Sequence, residues 1–259
     1  MVVLAPFVAR HCEPGQFIIL RVDEDGERIP LTIAEYDRTR GTVSIIYQVA
    51  GYTTRKLSAK KAGEALVDFV GPLGQPTELH PIKRVIGIGG GVGAAPLYPQ
   101  LKKLSEIGTS VDVILGARSK DLIILEEKFS RFCKNVYVTT DDGSYGAKGL
   151  VTEKLKALVE AGEKYDEVIA IGPVIMMKFV SMLTKQLGLK TNVSLNPIMV
   201  DGTGMCGGCR VTVGGETKFV CVDGPDFDGH QVDYDELMRR QSMYKTEEAH
   251  SCKIGLRSV

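Results

Sequence analysis

The spacing of hydrophobic and polar residues differs between three regions of the chain. In residues 1–79 the apolar residues form short runs rich in β-branched side chains, at 16–22, 42–49 and 64–70. Turn-forming pairs that contain Gly or Pro separate these runs, and little helical periodicity is present. Short extended runs joined by close turns favour a small antiparallel barrel.

From residue 80 the pattern alternates between strands and helices. In the first predicted helix, Leu97, Leu101 and Leu104 follow helical spacing, and Gly108 marks its end. Apolar strands that alternate with helices predict a doubly wound, mostly parallel sheet. The predicted strands are 84–88, 111–115, 136–140, 167–171 and 192–195, and the predicted helices are 95–107, 121–132, 150–161 and 174–187.

The last region, 196–259, loses this alternation. It is rich in glycine and contains a hairpin-like pair, 210–213 and 217–221, joined by two glycines. The predicted fold class is therefore β plus α/β. The predicted domains are an antiparallel barrel at 1–79, a parallel α/β domain at 80–195, and a small module with a tail at 196–259.

Composition excludes several classes of protein. Among 259 residues, 32 Lys and Arg balance 32 Asp and Glu, so no basic footprint for nucleic acid is present. No apolar run reaches the roughly 20 residues that cross a bilayer. The first residues lack the basic start of a secretory signal, so we expect a cytoplasmic protein. A disulfide framework is not indicated, and the isolated Cys12, Cys133 and Cys252 are interpreted as small buried apolar residues.

The other three cysteines form a cluster in the sequence. Together with Asp201, residues Cys206, Cys209 and Cys221 follow the plant-type two-iron spacing C-x4-C-x2-C with a distant fourth ligand. Asp201 occupies the first position, and a carboxylate can bind iron, although it is a harder ligand than a thiolate. Neighbouring glycines would let the loop wrap inward. The spacing favours a [2Fe–2S] cluster; a zinc site and a glycine-rich turn with buried thiols remain alternatives.

A second glycine-rich segment, 87–96, follows the first strand of the α/β region and opens its first helix. Glycines there admit a close ligand, and the helix N-terminus offers N–H groups to a pyrophosphate; a tight strand–helix turn is the alternative. The second strand ends at Arg118 without an acidic residue, which leaves the choice between NAD and NADP open. The candidate nucleotide-binding residues are Gly90, Gly91, Gly93, Ala94 and Arg118, with Asp142, Gly143, Gly172 and Pro173 in later loops at strand ends.

A protein that binds both a nicotinamide and an iron–sulfur cluster needs a third cofactor. Nicotinamide transfers two electrons as hydride, whereas the cluster accepts one at a time. Flavin performs both kinds of transfer. Two stretches of the barrel region, 28–33 and 47–54, remain to be explained.

These stretches, with the glycine segment, resemble the ferredoxin–NADP reductase superfamily over nearly the whole chain. In that superfamily a barrel motif of the form R-x-Y-S/T binds FAD, and a later G-x-x-S/T turn binds its pyrophosphate. The resemblance implies that FAD contacts Arg28, Pro30, Leu31, Thr32, Tyr47, Gln48, Gly51, Thr53 and Thr54.

Two groups of the superfamily carry a C-terminal cluster of this layout. The electron transfer subunits of dihydroorotate dehydrogenase B use four cysteines. The small (alpha) subunits of NADH-dependent reduced ferredoxin:NADP+ oxidoreductases, also called sulfide dehydrogenase, use one Asp and three Cys. The sequence is more similar to the second group, in segments such as 71–74, 141–146 and 194–206, and Asp201 fits its ligand set.

The resemblance implies an electron-transfer flavoprotein subunit of an oxidoreductase. Electrons would pass between NADH, FAD and the [2Fe–2S] cluster, and no residue would act as a chemical catalyst. The implied partner in a heterodimer is a large subunit that carries FAD and two [4Fe–4S] clusters, binds NADP(H), and divides electron pairs between ferredoxin and NADH (electron bifurcation). The alternatives are a dihydroorotate dehydrogenase B-type subunit and a zinc-stabilised nucleotide-binding regulator.

Overall fold

The computed structural model describes the backbone of residues 1–255 and the side chains of residues 1–250. The side chain of Cys252, and the end of the predicted C-terminal tail, lie outside the described residues. Within the described part of the chain, no helix has the length and apolar character needed to cross a membrane.

The N-terminal region forms a five-stranded antiparallel sheet with strand order β1-β4-β3-β2-β5. Its interior is packed with aliphatic side chains such as Ile18, Leu20, Ile33 and Val43, which are buried. The alternating apolar residues of the predicted barrel therefore do pack into a core. The elements are β1 (Val2–Leu4), α1 (Pro6–His11), β2 (Phe17–Arg21), β3 (Ile29–Asp37), β4 (Thr42–Ile45), α2 (Tyr52–Ala59) and β5 (Asp68–Leu73).

The central region forms a parallel sheet in which β11-β10-β6-β7-β8-β9 are neighbours. The chain proceeds from β6 in one direction to β7 and β8, and then returns to place β10 and β11 on the other side of β6. Open α/β sheets bind ligands at such a reversal, outside the carboxyl ends of the strands. The elements are β6 (Arg84–Gly90), α3 (Ala94–Glu106), β7 (Ser110–Ala117), α4 (Glu126–Phe129), β8 (Asn135–Thr140), β9 (Ala147–Lys148), α5 (Val151–Glu160), β10 (Glu167–Ile171), α6 (Val174–Leu187) and β11 (Lys190–Ser194).

The prediction of one helix over 121–132 is wrong. The structure has a single 3-10 turn at Lys120–Leu122, and then the short helix α4. Leu125, between them, has a φ of 62°, in the left-handed region. A right-handed helix cannot continue through that conformation, so α4 starts separately after it, with Phe129 fully buried.

The C-terminal region continues the central sheet. Its strand β14 pairs with β11 in antiparallel register, with Ser194 opposite Asp226. A single cluster of buried side chains includes Ile19 of the barrel, Val193 of the central sheet and Val211 of this region, so all three regions share a core. The elements are β12 (Arg210–Val213), β13 (Glu216–Phe219), α7 (Val220–Asp223), β14 (Asp226–Asp228), α8 (Tyr234–Gln241) and α9 (Lys245–Gly255).

Candidate cofactor sites

A cleft of about 1330 Å³ separates the barrel from the carboxyl edge of the central sheet. Thr32 of β3 lies on one wall, and the glycines after β6 lie on the other. Single drug-sized ligands occupy pockets of roughly 300–1000 Å³. The cleft is therefore large enough for more than one cofactor.

Six of the nine residues that the superfamily resemblance assigns to FAD line this cleft. Pro30, Leu31 and Thr32 belong to β3, Tyr47 and Gln48 follow β4, and Thr54 lies in the first turn of α2. These residues form one continuous wall although they come from three elements.

The other three FAD candidates, Arg28, Gly51 and Thr53, lie outside the cleft lining. Arg28 Nε donates a hydrogen bond to the carbonyl oxygen of Val200 at 3.1 Å, and its Nη1 donates to Asp68 Oδ2 at 3.1 Å. Thr53 is buried, and its hydroxyl donates to Glu27 at 2.8 Å. In this structure the side chains of Arg28 and Thr53 connect parts of the protein, and the FAD contacts of all three residues remain predictions.

The N-terminus of α2 is capped from within. Thr54 Oγ1 accepts hydrogen bonds from the backbone N–H groups of Ala50 and Gly51, at 3.1 and 3.0 Å. The N–H groups of a first helical turn have no partner within the helix, and they suit an anion such as a pyrophosphate. This helix end, beside the cleft, fits the phosphate part of FAD.

The glycine loop after β6 lies on the opposite wall. Gly90, Gly91 and Gly93 line the cleft, whereas Ala94 is buried behind them. A Cβ atom on Gly93 would lie 2.2 Å from the carbonyl oxygen of Ile171, so only glycine fits there. The close approach seats the N-terminus of α3 against β10, directly behind the glycines that line the cleft, where a dinucleotide pyrophosphate would bind.

Three further nucleotide candidates line the cleft: Arg118 after β7, and Gly172 and Pro173 after β10. In the loop after β8 the structure places Asp141 in the lining, whereas Asp142 and Gly143 lie outside it. Asp142 accepts a hydrogen bond from the N–H of Ser144 at 2.9 Å, and hydrogen bonds from Ser144 lower the pKa of its carboxyl group.

Asp141 was not among the residues predicted from the sequence, although it lies one position before the predicted Asp142. The Asp141 N–H donates to the carbonyl oxygen of Ala117 at 3.1 Å, and the Asp142 N–H donates to that of Arg118 at 3.2 Å. These bonds hold the ends of β7 and β8 together. Further lining residues that the sequence did not indicate are Phe17, Met176, Phe179, Ser194, Asn196, Met199 and Pro225.

The thiols of Cys209 and Cys221 lie together in the C-terminal region. Their Sγ atoms are 3.2 Å apart, both residues are 2% exposed, and both thiols are free. The separation is well beyond the roughly 2.05 Å of a disulfide bond. Burial, followed by the neighbouring Cys209 thiol, raises the pKa of Cys221. A metal ion would replace that proton on binding.

Asp201 and Cys206 lie in the loop before β12, where backbone N–H groups surround them. Asp201 Oδ2 accepts from the N–H groups of Thr203 and Met205, at 3.0 and 3.1 Å. The Gly208 N–H donates to Cys206 Sγ at 3.5 Å. The pKa of the Asp201 carboxyl group is lowered, mainly by the hydrogen bond from Thr203. The pKa of the Cys206 thiol is lowered, mainly by the hydrogen bond from Gly208. The loop therefore stabilises negative charge on both side chains.

The loop that carries Asp201 rests on the barrel. Gly202 has a φ of 82°, and a Cβ atom there would lie 2.5 Å from Ile19 Cδ1 and 2.9 Å from Leu73 Cδ1. Glycine satisfies both the conformation and the contact. From the sequence, this glycine is expected to let the loop wrap inward. In the structure, Ile19 of β2 and Leu73 of β5 lie against it.

The four candidate ligands form a close pair of thiols and two further groups in the preceding loop. Among the residues that the structure describes, no three potential metal ligands converge on one point. A structural zinc ion needs four ligands around one centre, whereas a two-iron cluster takes two protein ligands at each iron. Cys209 and Cys221 are close enough to bind one iron, and Asp201 and Cys206 lie in the loop before them; the assignment of all four residues as cluster ligands remains a prediction.

Two family models match the chain. That of the iron–sulfur cluster binding domain of dihydroorotate dehydrogenase B matches residues 196–233, and that of the oxidoreductase NAD-binding domain matches residues 88–182. A Thermotoga maritima protein named dihydroorotate dehydrogenase B (NAD(+)), electron transfer subunit homolog, is 48% identical over 98% of this chain and 90% of its own length. The chain belongs to this family of electron transfer subunits.

Other family members extend the comparison. The dihydroorotate dehydrogenase B electron transfer subunit of Desulforamulus reducens is 36% identical over 88% of this chain and 89% of its own length. A solved structure, described as giving insights into flavin-based electron bifurcation via the NADH-dependent reduced ferredoxin-NADP oxidoreductase, superposes with a TM-score of 0.93, at 46% identity, over 98% of this chain and 92% of that chain.

The family assignment confirms three predictions from the sequence. The fold is of the ferredoxin–NADP reductase type, with an antiparallel sheet, a parallel α/β sheet and a C-terminal iron–sulfur region. The chain is an oxidoreductase subunit for electron transfer. Its cofactors are FAD, NAD and an iron–sulfur cluster.

Proposed function

We propose that this chain carries electrons between NADH and a larger partner subunit, in an electron-bifurcating NADH-dependent ferredoxin:NADP+ oxidoreductase. FAD can exchange two electrons with the nicotinamide as hydride and single electrons with the iron–sulfur cluster. One observation carries the proposal: a single cleft is lined by the barrel motif Pro30–Thr32 and by the glycine loop after β6, while the loop of Asp201 rests on the same barrel.

The residues of the chain bind and orient the cofactors. The N-terminus of α2 holds the FAD pyrophosphate, and the N-terminus of α3 holds that of the dinucleotide. Asp201, Cys206, Cys209 and Cys221 hold the [2Fe–2S] cluster, and the backbone N–H groups around them offset its negative charge. No side chain is needed as an acid, base or nucleophile.

The proposed partner is a large subunit that carries a second FAD and two [4Fe–4S] clusters. The structure of the NADH-dependent reduced ferredoxin-NADP oxidoreductase, 46% identical over 98% of this chain, supports it. Two apolar side chains are exposed at the ligand loop: Met205 is 87% exposed and Val200 is 53% exposed. Apolar side chains at the surface suit the buried centre of a subunit interface.

A dihydroorotate dehydrogenase B-type complex is the second candidate function. Relatives at 34–36% identity carry that name. The carboxylate at Asp201 favours the bifurcating group, to which the superfamily resemblance assigns one Asp and three Cys. Addition of the purified chain to each large subunit, with assays of orotate and of ferredoxin-linked NADP+ reduction, separates the two candidates.

Cofactor analysis of the chain tests the proposal directly. We expect anaerobically purified protein to contain FAD and iron in a ratio of about one to two, with flavin and cluster bands in the visible spectrum. A colourless protein that contains zinc would instead indicate the zinc-stabilised nucleotide-binding regulator. A protein that stays free of iron and flavin after reconstitution would contradict the proposal.

A further inference from the structure

Arginine side chains bind both glycine carbonyl groups in the segment 206–209 of the ligand loop. Arg240, in the last turn of α8, donates from Nη2 to the carbonyl oxygen of Gly208 at 3.0 Å. Arg210 donates from Nη1 to the carbonyl oxygen of Gly207 at 3.2 Å. Two cationic side chains therefore contact the segment that joins two of the proposed iron ligands.

Helix α8 is attached to this region by bonds on both sides of Arg240. Glu236 Oε2 accepts a hydrogen bond from the N–H of Thr212 in β12 at 3.1 Å. Gln241 Nε2 donates to the carbonyl oxygen of Asn196 at 2.7 Å. These bonds connect the helix to the chain before and after the ligand loop, so Arg240 has a fixed position beside that loop.

No carboxylate offsets the charge of Arg240. Among the described residues, the guanidinium group makes one hydrogen bond, to Gly208, and no ion pair. The side chain is partly buried, and its Nε is enclosed by protein without a hydrogen-bond acceptor. An enclosed cationic group without a partner is costly. A negatively charged group bound nearby, such as a [2Fe–2S] cluster with four anionic ligands, would offset that cost.

Gly208 links this guanidinium group to the proposed ligands. Its N–H donates to Cys206 Sγ at 3.5 Å, while its carbonyl oxygen accepts from Arg240. Because one residue spans both bonds, the charged group lies within about 10 Å of that sulfur. At such a separation near a protein surface, a unit charge changes an equilibrium that moves one electron by about tenfold.

We propose that Arg240 is a positioning residue that raises the reduction potential of the cluster. Reduction by one electron from the flavin adds a negative charge to the cluster, and a cation held nearby favours that reduced form. The hydrogen bond to Gly208 keeps the cation in place. Arg210 is exposed, so water and salt screen its charge. The inference rests on the proposed function, because it requires the cluster.

The test is a redox titration of the iron-loaded chain, followed by electron paramagnetic resonance of the reduced cluster. Arg240→Gln removes the charge, so the ratio of reduced to oxidised cluster at a fixed potential should fall about tenfold, a shift of about 59 mV to more negative potential. Arg240→Lys keeps a positive charge and should restore most of that ratio. Arg239→Gln is the matched control, because it removes the same charge from the neighbouring exposed position, and it should leave the potential unchanged.

Iron analysis of every variant accompanies the titration. An unchanged potential in iron-loaded Arg240→Gln would overturn the inference. An equal shift in Arg239→Gln, or a potential in Arg240→Lys as low as in Arg240→Gln, would also overturn it, since the charge at this position would not be the cause.

Loss of iron from Arg240→Gln would leave the decision to Arg240→Lys. Iron retained in Arg240→Lys would support a role for the charge, whereas iron lost from both variants would overturn the inference. An unmodified chain that takes up no iron on reconstitution would contradict the proposed function as well, and iron analysis of that chain identifies this outcome.

Discussion

The Sγ atoms of Cys209 and Cys221 lie 3.2 Å apart although twelve positions separate them along the chain. The hairpin of β12 and β13 closes this distance, because its register pairs Arg210, next to Cys209, with Phe219, two positions before Cys221. The Cys221 N–H also donates to Cys209 Sγ at 3.5 Å. The hairpin thus brings together two of the four proposed iron ligands.

Replacement of one thiol of this pair should remove iron and retain flavin. In Cys209→Ser the softer sulfur ligand is lost, whereas the cleft that holds FAD is lined by other residues. We expect iron per chain to fall severalfold with FAD content unchanged, measured by iron analysis and flavin absorbance. Cys133→Ser is the matched control, because Cys133 is a free thiol outside the ligand set. Equal iron in both variants would exclude Cys209 as a ligand.

Asp201→Cys should keep a cluster and shift its reduction potential. A thiolate is a softer ligand than a carboxylate, and ligand type and nearby hydrogen bonds tune the potential. A redox titration followed by electron paramagnetic resonance measures the shift. Asp223→Asn, in α7 and outside the ligand set, serves as a control of similar position in the module. If Asp201→Cys titrates like the unmodified chain, Asp201 does not bind iron.

Gly93→Ala should destabilise the chain and weaken NADH binding. The new methyl group would meet the carbonyl oxygen of Ile171 at 2.2 Å, so the start of α3 must move away from β10. Overpacking of this kind costs about 1–3 kcal/mol, which urea denaturation and NADH titration would measure. Gly51→Ala adds the same methyl group where no atom lies within 4 Å and the φ is −133°. If Gly51→Ala lowered the free energy of unfolding and the affinity for NADH as much as Gly93→Ala, the contact between Gly93 and Ile171 would not be the cause.

The free energy of unfolding should decrease as pH rises because of Asp226. Burial raises its pKa in the folded chain, so the folded state retains a proton that the unfolded chain loses near pH ~4. Its stabilising contribution is complete below that pH and is lost progressively towards the folded-state pKa. Urea denaturation over this range should show a slope that Asp226→Asn removes.

Asp235→Asn is a control at a carboxyl group whose pKa is shifted in the opposite direction to that of Asp226. Lys178 lowers the pKa of Asp235, which is exposed, so its small contribution is present at higher pH and is lost on acidification. The slope assigned to Asp226 should therefore persist in Asp235→Asn. A slope unchanged by Asp226→Asn would show that other groups produce it.

Met205→Ser should weaken binding of the partner subunit and leave the cofactors in place. Among the side chains that the structure describes, Met205 is the most exposed large apolar one, and it adjoins Cys206. Loss of an apolar contact at the centre of an interface raises the dissociation constant about tenfold, which titration calorimetry with the large subunit would measure. Phe7→Ser, at an exposed apolar residue of α1, should leave it unchanged. Equal effects would place the interface elsewhere.

The sequence predicted the features that depend on local pattern. The strands of the central sheet and the glycine loop follow from apolar runs and turn residues, and all five strands predicted there occur within one or two residues. The spacing of Cys206, Cys209 and Cys221 pointed to iron, and the family model of residues 196–233 agrees.

Features that depend on distant contacts could not be predicted from the sequence. Arg28 and Val200 are 172 positions apart, and Thr77 and Asp226 are 149 apart; no local pattern encodes either bond. Strand β3 did not stand out because Pro30 and the polar residues after it interrupt its apolar pattern. The left-handed Leu125 interrupts an otherwise helical pattern, and leucine gives no local signal for that conformation.

The iron-binding region is attached at two places, one on the central sheet and one on the barrel. Strand β14 belongs to the central sheet, whereas Gly202 is seated on β2 and β5. The region therefore connects the central sheet to the barrel, and widening of the cleft between them would pull on the loop that carries Asp201 and Cys206. We therefore expect any change in the width of the cleft to be transmitted to the loop that carries Asp201 and Cys206.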